Sequence, residues 1–203
     1  MNSRIKADAN EIQTHIDDLQ KVSWLDKSRS WWPRFIFHFT NINNAVSILE
    51  SGKMLSRTRS ETTGEMITDN ASPIVMGQTE IRWKDYVRLY FRPRTPTQYN
   101  NEGFRPIAQR ELNSHCPVPV YFMFNSKKLL SRENASFSKG SLATSNTTIF
   151  SDAKSFKEIP FHLVYHDDRI EPYERSSIVF HRHAEVVVPN ELDLDDLSHM
   201  VQK

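Results

Sequence analysis

Cysteine and glycine are scarce in this chain of 203 residues. The single Cys116 excludes an internal disulfide and a cysteine-rich zinc site, and it suits a reducing, cytoplasmic setting. The five glycines form neither a Walker loop nor a G-x-G-x-x-G fingerprint, which disfavours P-loop and Rossmann nucleotide chemistry. A G-x-S-x-G motif for a serine nucleophile is also missing.

Long hydrophobic segments are missing as well. No window approaches the roughly 18 apolar residues that span a bilayer. The N-terminal stretch MNSRIKADANEIQTHIDDLQ contains no apolar signal-peptide core. We therefore expect a protein that makes no use of a membrane, is not exported and works in the cytoplasm.

The composition that is present suits one folded domain rich in loops. Hydrophobic residues make up 38% of the chain and charged residues 25%, and there are ten prolines. Strand-like segments are not separated by regular crossover helices, so the pattern predicts an α+β fold with mixed or antiparallel sheets and flanking helices. We expect an N-terminal helix within 1–30 and a main part over 31–203, together forming one compact domain.

Local patterns predict the order of the elements. The expected helices and strands are a helix over 4–22, a strand over 35–40, a helix capped by Asn41 or Asn43 and ended by Gly52, strands over 85–91 and 118–124, a short helix over 126–130, strands over 161–167 and 177–188, and a final acidic helix over 190–201. Residues 56–80 read as a long loop. His38 and Thr40 then fall at the end of a strand just before a helix N-terminus, where free N–H groups favour a phosphate-bearing ligand.

A basic segment lies in the middle of the chain. Residues 80–110 carry seven arginines and lysines against three carboxylates, interleaved with aromatic residues. This composition suits a polyanion whose bases can stack, although it also fits a solvated surface.

Glu185 is an unusual residue because it directly precedes three valines in what reads as a buried strand. Strand alternation would place it on one face with His181 and His183. A structural ion pair is one interpretation, since a buried carboxylate needs a partner. A zinc or iron site is a second, with His162 and His166 as further candidate ligands.

Three segments, in this order and at this spacing, support a third interpretation. They are FHFTNINNAVSILESGKMLSR (37–57), DYVRLYFRPRTPTQY (85–99) and RHAEVVVP (182–189). They contain an H-x-T-x-x-x-N block, a Y-x-x-x-Y-F-x-x-R-x-P block and an R-x-A-E block. The ordered set resembles the DarT family of nucleic-acid ADP-ribosyltransferase toxins, which implies an ADP-ribosyltransferase-like fold and NAD as co-substrate.

The resemblance implies roles for individual residues. His38, with Thr40 beside it, would bind a ribose or the nicotinamide side of NAD, Asn44 would reach the cofactor from the helix N-terminus, and Tyr90 would offer an aromatic face. Glu185 would be the catalytic carboxylate. A catalytic arginine is expected between the first two blocks, and because residues 60–81 contain none, we select Arg57 over Arg59 and Arg82.

The nucleic acid is expected at the segment after the second block. Arg92, Arg94, Gln98 and Tyr99 are suited to phosphate contact and base stacking. This segment differs from that of the thymidine-modifying branch of the family, so the target base stays open, as does the choice of DNA or RNA.

The sequence thus predicts a metal-independent, NAD-dependent mono-ADP-ribosyltransferase toxin acting on a base of single-stranded nucleic acid. The resemblance also implies a cognate antitoxin and a role in phage defence. A metal enzyme using His181, His183 and Glu185, and a non-catalytic nucleic-acid-binding module, are the alternatives.

Overall fold

The computed structural model describes residues 4–65, 68–69, 77, 79–96, 98, 116 and 119–202. Within these residues the strands are β1 (Phe35–Asn41), β2 (Lys53–Leu55), β3 (Tyr86–Tyr90), β4 (Pro119–Asn125), β5 (Ser136–Ser138), β6 (Ile149–Phe150), β7 (Glu185–Pro189), β8 (Glu191–Asp193) and β9 (Leu197–Gln202). The α-helices are α1 (Ala9–Leu19), α2 (Ile42–Ser51), α3 (Arg57–Thr63), α4 (Ser126–Leu130), α5 (Ala153–Lys157), α6 (Phe161–Val164) and α7 (Arg175–Arg182).

The main sheet has seven strands in the order β6-β5-β7-β3-β1-β4-β9, and its neighbouring strands run antiparallel. A separate antiparallel ribbon joins β2 to β8. The α+β class predicted from the sequence, with an antiparallel sheet and flanking helices, is therefore confirmed. None of the helices in the described part of the chain is long and apolar enough to cross a membrane.

The N-terminal helix packs on the rest of the chain through the apolar stripe seen in the sequence. Ile12, Ile16 and Leu19 of α1 are buried, and the helix contacts α4 and α5. Burying side chains of this size stabilises a fold by about 1.5–3 kcal/mol each. The boundary at residue 30 stays a prediction.

The strand and helix around His38 form as the sequence predicts. Asn41 caps α2 by accepting a hydrogen bond from Asn43 N–H, and Gly52 ends the helix at a φ of 69°. Ala45 is buried, but Leu49, expected on the same buried face, is 44% exposed.

Four predicted segments differ in the structure. Residues 57–63 form α3 within the expected loop, and 161–164 form α6 where a strand was expected. The expected strand over 177–188 is helical in its first half and extended only from Glu185. The expected acidic helix over 190–201 is β8, a 3₁₀ turn and β9. Short apolar runs do not distinguish helix from strand, and β9 extends by pairing with the distant β4.

The central strands diverge at the point where the candidate site lies. In the described residues, β1 and β3 are in register only at Phe37 and Tyr90. Beyond that pair, the imidazole ring of His38 on β1 hydrogen-bonds to the carbonyl oxygen of Arg88 on β3, with 3.0 Å between Nδ1 and O. The diverging strands open a cleft between the end of β1 and the length of β3.

Candidate active site

The cleft between the diverging strands has a volume of about 730 Å³. This lies within the range of about 300–1,000 Å³ that is typical of cofactor and small-ligand sites. All six residues that the sequence analysis assigned to catalysis or cofactor binding line it, namely His38, Thr40, Asn44, Arg57, Tyr90 and Glu185. The fold therefore brings together residues that are up to 147 positions apart in the sequence; their roles stay predictions.

Glu185 lies at the first position of β7, and its side chain is 1% exposed. Arg88 of β3 binds both carboxylate oxygens, with Nε 2.5 Å from Oε2 and Nη2 2.6 Å from Oε1. The N–H of Leu142 also donates to Oε1 at 3.1 Å. The structural ion pair considered for Glu185 is thus present, and it faces the cleft.

The loop that supplies Leu142 is fixed to Glu185 and to α7. Ser138 Oγ accepts a hydrogen bond from Glu185 N–H at 3.1 Å and donates to the carbonyl oxygen of Gly140 at 2.6 Å. His181 Nδ1 donates to the carbonyl oxygen of Lys139 at 2.6 Å. These contacts place the backbone N–H of Leu142 beside the carboxylate.

His38 is held in one orientation and one tautomer. A carbonyl oxygen only accepts hydrogen bonds, so Nδ1 must carry the proton that it donates to Arg88. Burial lowers the pKa of His38, against the opposing effect of that hydrogen bond. The neutral ring therefore keeps a lone pair on Nε2, which can accept a hydrogen bond from a ligand hydroxyl.

Tyr90 lies directly opposite Glu185 in the pairing of β3 with β7. Its ring stacks on that of Phe39, with centroids 6.2 Å apart and planes inclined by 21°. The two rings provide an aromatic wall suited to a planar ligand ring.

Asn44 and Arg57 hold a neighbouring segment of the chain in this structure. The Asn44 side chain donates to the carbonyl oxygen of Thr68 at 2.7 Å and accepts from Thr68 N–H at 2.9 Å. Arg57 forms ion pairs with Glu61 and Asp69. Both side chains therefore bind residues 68–69, which also line the cleft. The sequence did not indicate these contacts.

Two of the four residues predicted to bind nucleic acid, Arg92 and Gln98, are buried. Arg92 was expected to point outward, but it is 1% exposed, donates to the carbonyl oxygens of Val164 and His166, and pairs with Asp167 at 2.7 Å. Burial first, and then Arg182, lower the pKa of Arg92 to about 10. Arg92 is thus an internal cation in this structure, with its guanidinium directed at groups of the protein itself.

The other three of these residues have different surroundings. Gln98 is 3% exposed and also lies inside the protein. The Arg94 side chain is 73% exposed and lies 3.3 Å from Asp167. Tyr99 lies outside the described residues.

The arrangement assumed for a metal site is wrong. His181 belongs to α7 and not to a strand shared with Glu185, so the expected alternation does not occur. His183 donates from Nδ1 to the carbonyl oxygen of Val179 at 2.8 Å, and its pKa is lowered mainly by burial. The residues that the structure describes contain no group of three His, Cys, Asp or Glu arranged to hold a metal ion.

Arg88 is the site residue that sequence reasoning missed. It lies two positions before Tyr90 on β3, so strand alternation places both residues on one face. That spacing was visible in the sequence. The pairing of β3 with β7, which brings Glu185 to this face, was not.

Comparisons with known proteins give matches to one family. A family model described as "DarT: ssDNA thymidine ADP-ribosyltransferase" matches residues 37–202. The structure "Thermus sp. 2.9 DarT in complex with ADP-ribosylated ssDNA" is similar with a TM-score of 0.65 and 16% identity, over 83% of this chain and 80% of that one.

Two further solved structures share the fold. The structure "Thermus sp. 2.9 DarT in complex with NAD+" has a TM-score of 0.61 and 15% identity, over 83% of this chain and 81% of that one. The structure "Thermosipho africanus DarTG in complex with ADP-ribose" has a TM-score of 0.63 and 21% identity, over 82% of this chain and 43% of that one. No curated protein sequence matches the chain significantly.

Proposed function

Since the chain belongs to the DarT family of ssDNA thymidine ADP-ribosyltransferases, we propose that the cleft around Glu185 is the active site of an NAD-dependent enzyme that modifies a base of single-stranded DNA. One observation carries this assignment. A buried carboxylate faces the same cleft as a neutral histidine and an aromatic wall, on three adjacent strands.

The residues of the cleft fit NAD. His38 Nε2 would accept a hydrogen bond from a sugar hydroxyl, and the wall of Phe39 and Tyr90 would hold a planar ring such as nicotinamide. NAD, when bound, supplies a ribose carbon from which nicotinamide can leave with the bonding electrons. Thr40 and Asn44 border the same end of the cleft.

Glu185 would perform two tasks. Its negative charge would stabilise the positive charge that develops on the sugar as the bond to nicotinamide breaks. One of its oxygens would accept the proton released by the attacking base. Both tasks need a fixed, ionised carboxylate, and the bidentate contact with Arg88 meets that need.

The acceptor is proposed to be an unpaired base, because a base inside a duplex is stacked and its edge cannot reach the cleft. Lys84 and Tyr86 line the cleft and are suited to phosphate contact and stacking, and the exposed Arg94 stays a candidate. Thymidine is the acceptor printed for the family, and we propose it as the first base to test.

A cytoplasmic location and a cognate antitoxin are further parts of the proposal. The chain spans 43% of the Thermosipho africanus DarTG chain that it matches. That chain therefore has a large part outside the matched region. We propose that a cognate antitoxin protein limits the activity of this chain.

The test compares the wild type with Glu185→Gln, which keeps the shape of the side chain and removes its charge. Each protein is incubated with NAD labelled in the adenylate phosphate, in EDTA, with single-stranded DNA of each base composition and matched RNA and duplex controls. We expect label on one class of single-stranded DNA with the wild type alone. Equal binding of DNA with and without NAD, and no label on any strand, would instead indicate a binding module.

A further inference from the structure

We propose that Arg88 is a positioning residue for Glu185, a role that rests on the proposed function of the cleft. Its guanidinium group fixes the orientation of the carboxylate and leaves one acceptor direction of Oε2 unfilled. The observations behind this are the register of two strands, the hydrogen bonds of one carboxylate and its burial.

The register explains why Arg88 reaches Glu185. In the antiparallel pairing of β3 with β7, Glu185 is opposite Tyr90, and Arg88 is opposite Val187. Arg88 and Glu185 are therefore diagonal neighbours on one face of the sheet, within reach of a long side chain. The Arg88 side chain is 23% exposed and lines the cleft, so the pair lies at the inner wall of the site.

The hydrogen bonds leave an asymmetric carboxylate. An ionised carboxylate has about four lone-pair positions, two on each oxygen. Oε1 accepts from Arg88 Nη2 and from Leu142 N–H, so both of its positions are filled. In the contacts that the described residues make, Oε2 accepts only from Arg88 Nε. One acceptor direction, on Oε2, is left for a proton from the substrate.

Burial explains why a cation is needed. At 1% exposure, Glu185 has almost no access to water, and an unpaired charge there would be costly. The other groups that face it are the N–H of Leu142, Tyr90, and His183 at the end of α7, whose pKa burial lowers.

The planar guanidinium also fixes orientation. Two parallel N–H bonds hold both oxygens in one plane, which a lysine ammonium cannot do. Charge and orientation can therefore be separated by substitution. Arg88→Lys keeps the charge and loses the bidentate contact, whereas Arg88→Gln loses both.

The experiment measures transfer to single-stranded DNA by the wild type, Arg88→Lys, Arg88→Gln and the control Arg169→Gln, which removes an exposed arginine outside the cleft. We expect Arg88→Gln to lower kcat by about 100-fold, the cost of a small misplacement of a catalytic group, with KM for NAD changed less than about threefold. Arg88→Lys should be intermediate, and the control should match the wild type. Methylguanidinium added to Arg88→Ala should restore part of the lost rate.

A spectroscopic readout is independent of activity. The carboxylate stretching band of Glu185, assigned by its absence in Glu185→Gln, should shift in Arg88→Gln, because the two oxygens lose their bidentate contact.

Three outcomes would overturn this role while the proposed function stands. They are unchanged kcat in Arg88→Gln, faster transfer in that variant, which would make the pair inhibitory, and an unchanged infrared carboxylate band. If the wild type itself labels no DNA, the proposed function fails, and the infrared band still decides whether Arg88 holds the Glu185 carboxylate.

Discussion

The ion pair between Arg88 and Glu185 should dominate the local stability of the site. Arg88→Met removes the cation while keeping much of the side-chain volume. It leaves Glu185, 1% exposed, with a single hydrogen bond from Leu142 N–H to its side chain in the described contacts. Breaking a buried pair in this way typically costs about 3–5 kcal/mol.

The contact geometry indicates how large the loss in the free energy of unfolding of Arg88→Met should be. Both contacts are short, at 2.5 and 2.6 Å, as expected for hydrogen bonds between charged groups. The Arg88 side chain is 23% exposed, so water can replace part of the lost contact. We therefore expect a loss of about 3 kcal/mol in the free energy of unfolding, the lower end of the range for buried pairs.

A double-mutant cycle isolates the pair. Unfolding in urea, followed by tryptophan fluorescence, is measured for the wild type, Arg88→Met, Glu185→Gln and the double variant. The double variant leaves no unpaired charge. Its loss in the free energy of unfolding should therefore be smaller than the sum of the two single losses, and the difference, which is the coupling energy, should be about 2 kcal/mol.

Additive losses, within about 0.5 kcal/mol, would refute this reasoning, because two independent side chains behave in that way.

Four further predictions concern other parts of the structure. Arg92→Met should lower the free energy of unfolding by about 3 kcal/mol, because two carbonyl groups lose their donor and Asp167 loses the nearer of its two arginines, and DNA affinity in filter binding should not change. The exposed Arg94→Gln should change stability by less than about 0.5 kcal/mol, and if Arg94 touches a phosphate, the slope of log affinity against log salt should fall by about 1. A Cβ at Gly140 would lie 2.2 Å from the ring of Phe180, so Gly140→Ala should cost about 1–3 kcal/mol in thermal unfolding, and Phe180→Ala should recover part of it. Burial lowers the pKa of His38 from its ordinary 6.5, so its contribution to stability is complete above that pH and is lost as the pH falls below it. His38→Asn should therefore flatten the fall of stability between pH 6.5 and 5 by up to about 1.4 kcal/mol per pH unit, and an unchanged slope would assign that fall to other groups.

Some elements could be predicted because their signals are local. The stripe of Ile12, Ile16 and Leu19 defines α1, and the Asn41 cap and Gly52 define the ends of α2. Other signals misled. The apolar residues of 177–182 fit a strand as well as a helix, and only packing of Ile178 into the core decides for the helix.

Charge was a poor guide to the surface. Arg92 and Arg94 are two positions apart in a segment that reads as basic and outward-facing. In the structure the first is buried over the ring of Trp32, 5.1 Å from its centroid, and the second is exposed. Arg92 is buried because Asp167 and the carbonyl groups of Val164 and His166 bind its guanidinium inside the protein. These partners belong to a distant part of the chain.

The sequence by itself determined the family, the α+β class and six residues that line the cleft, because residue type and spacing within each block are local properties. These residues are His38, Thr40, Asn44, Arg57, Tyr90 and Glu185. The tertiary structure alone decided which side chain stands beside Glu185. Strand register is set by long-range pairing, and a shift of one residue would turn Arg88 to the other face of the sheet. The carboxylate is therefore specified by its motif, whereas its charge partner and its open oxygen are specified by the pairing of β3 with β7.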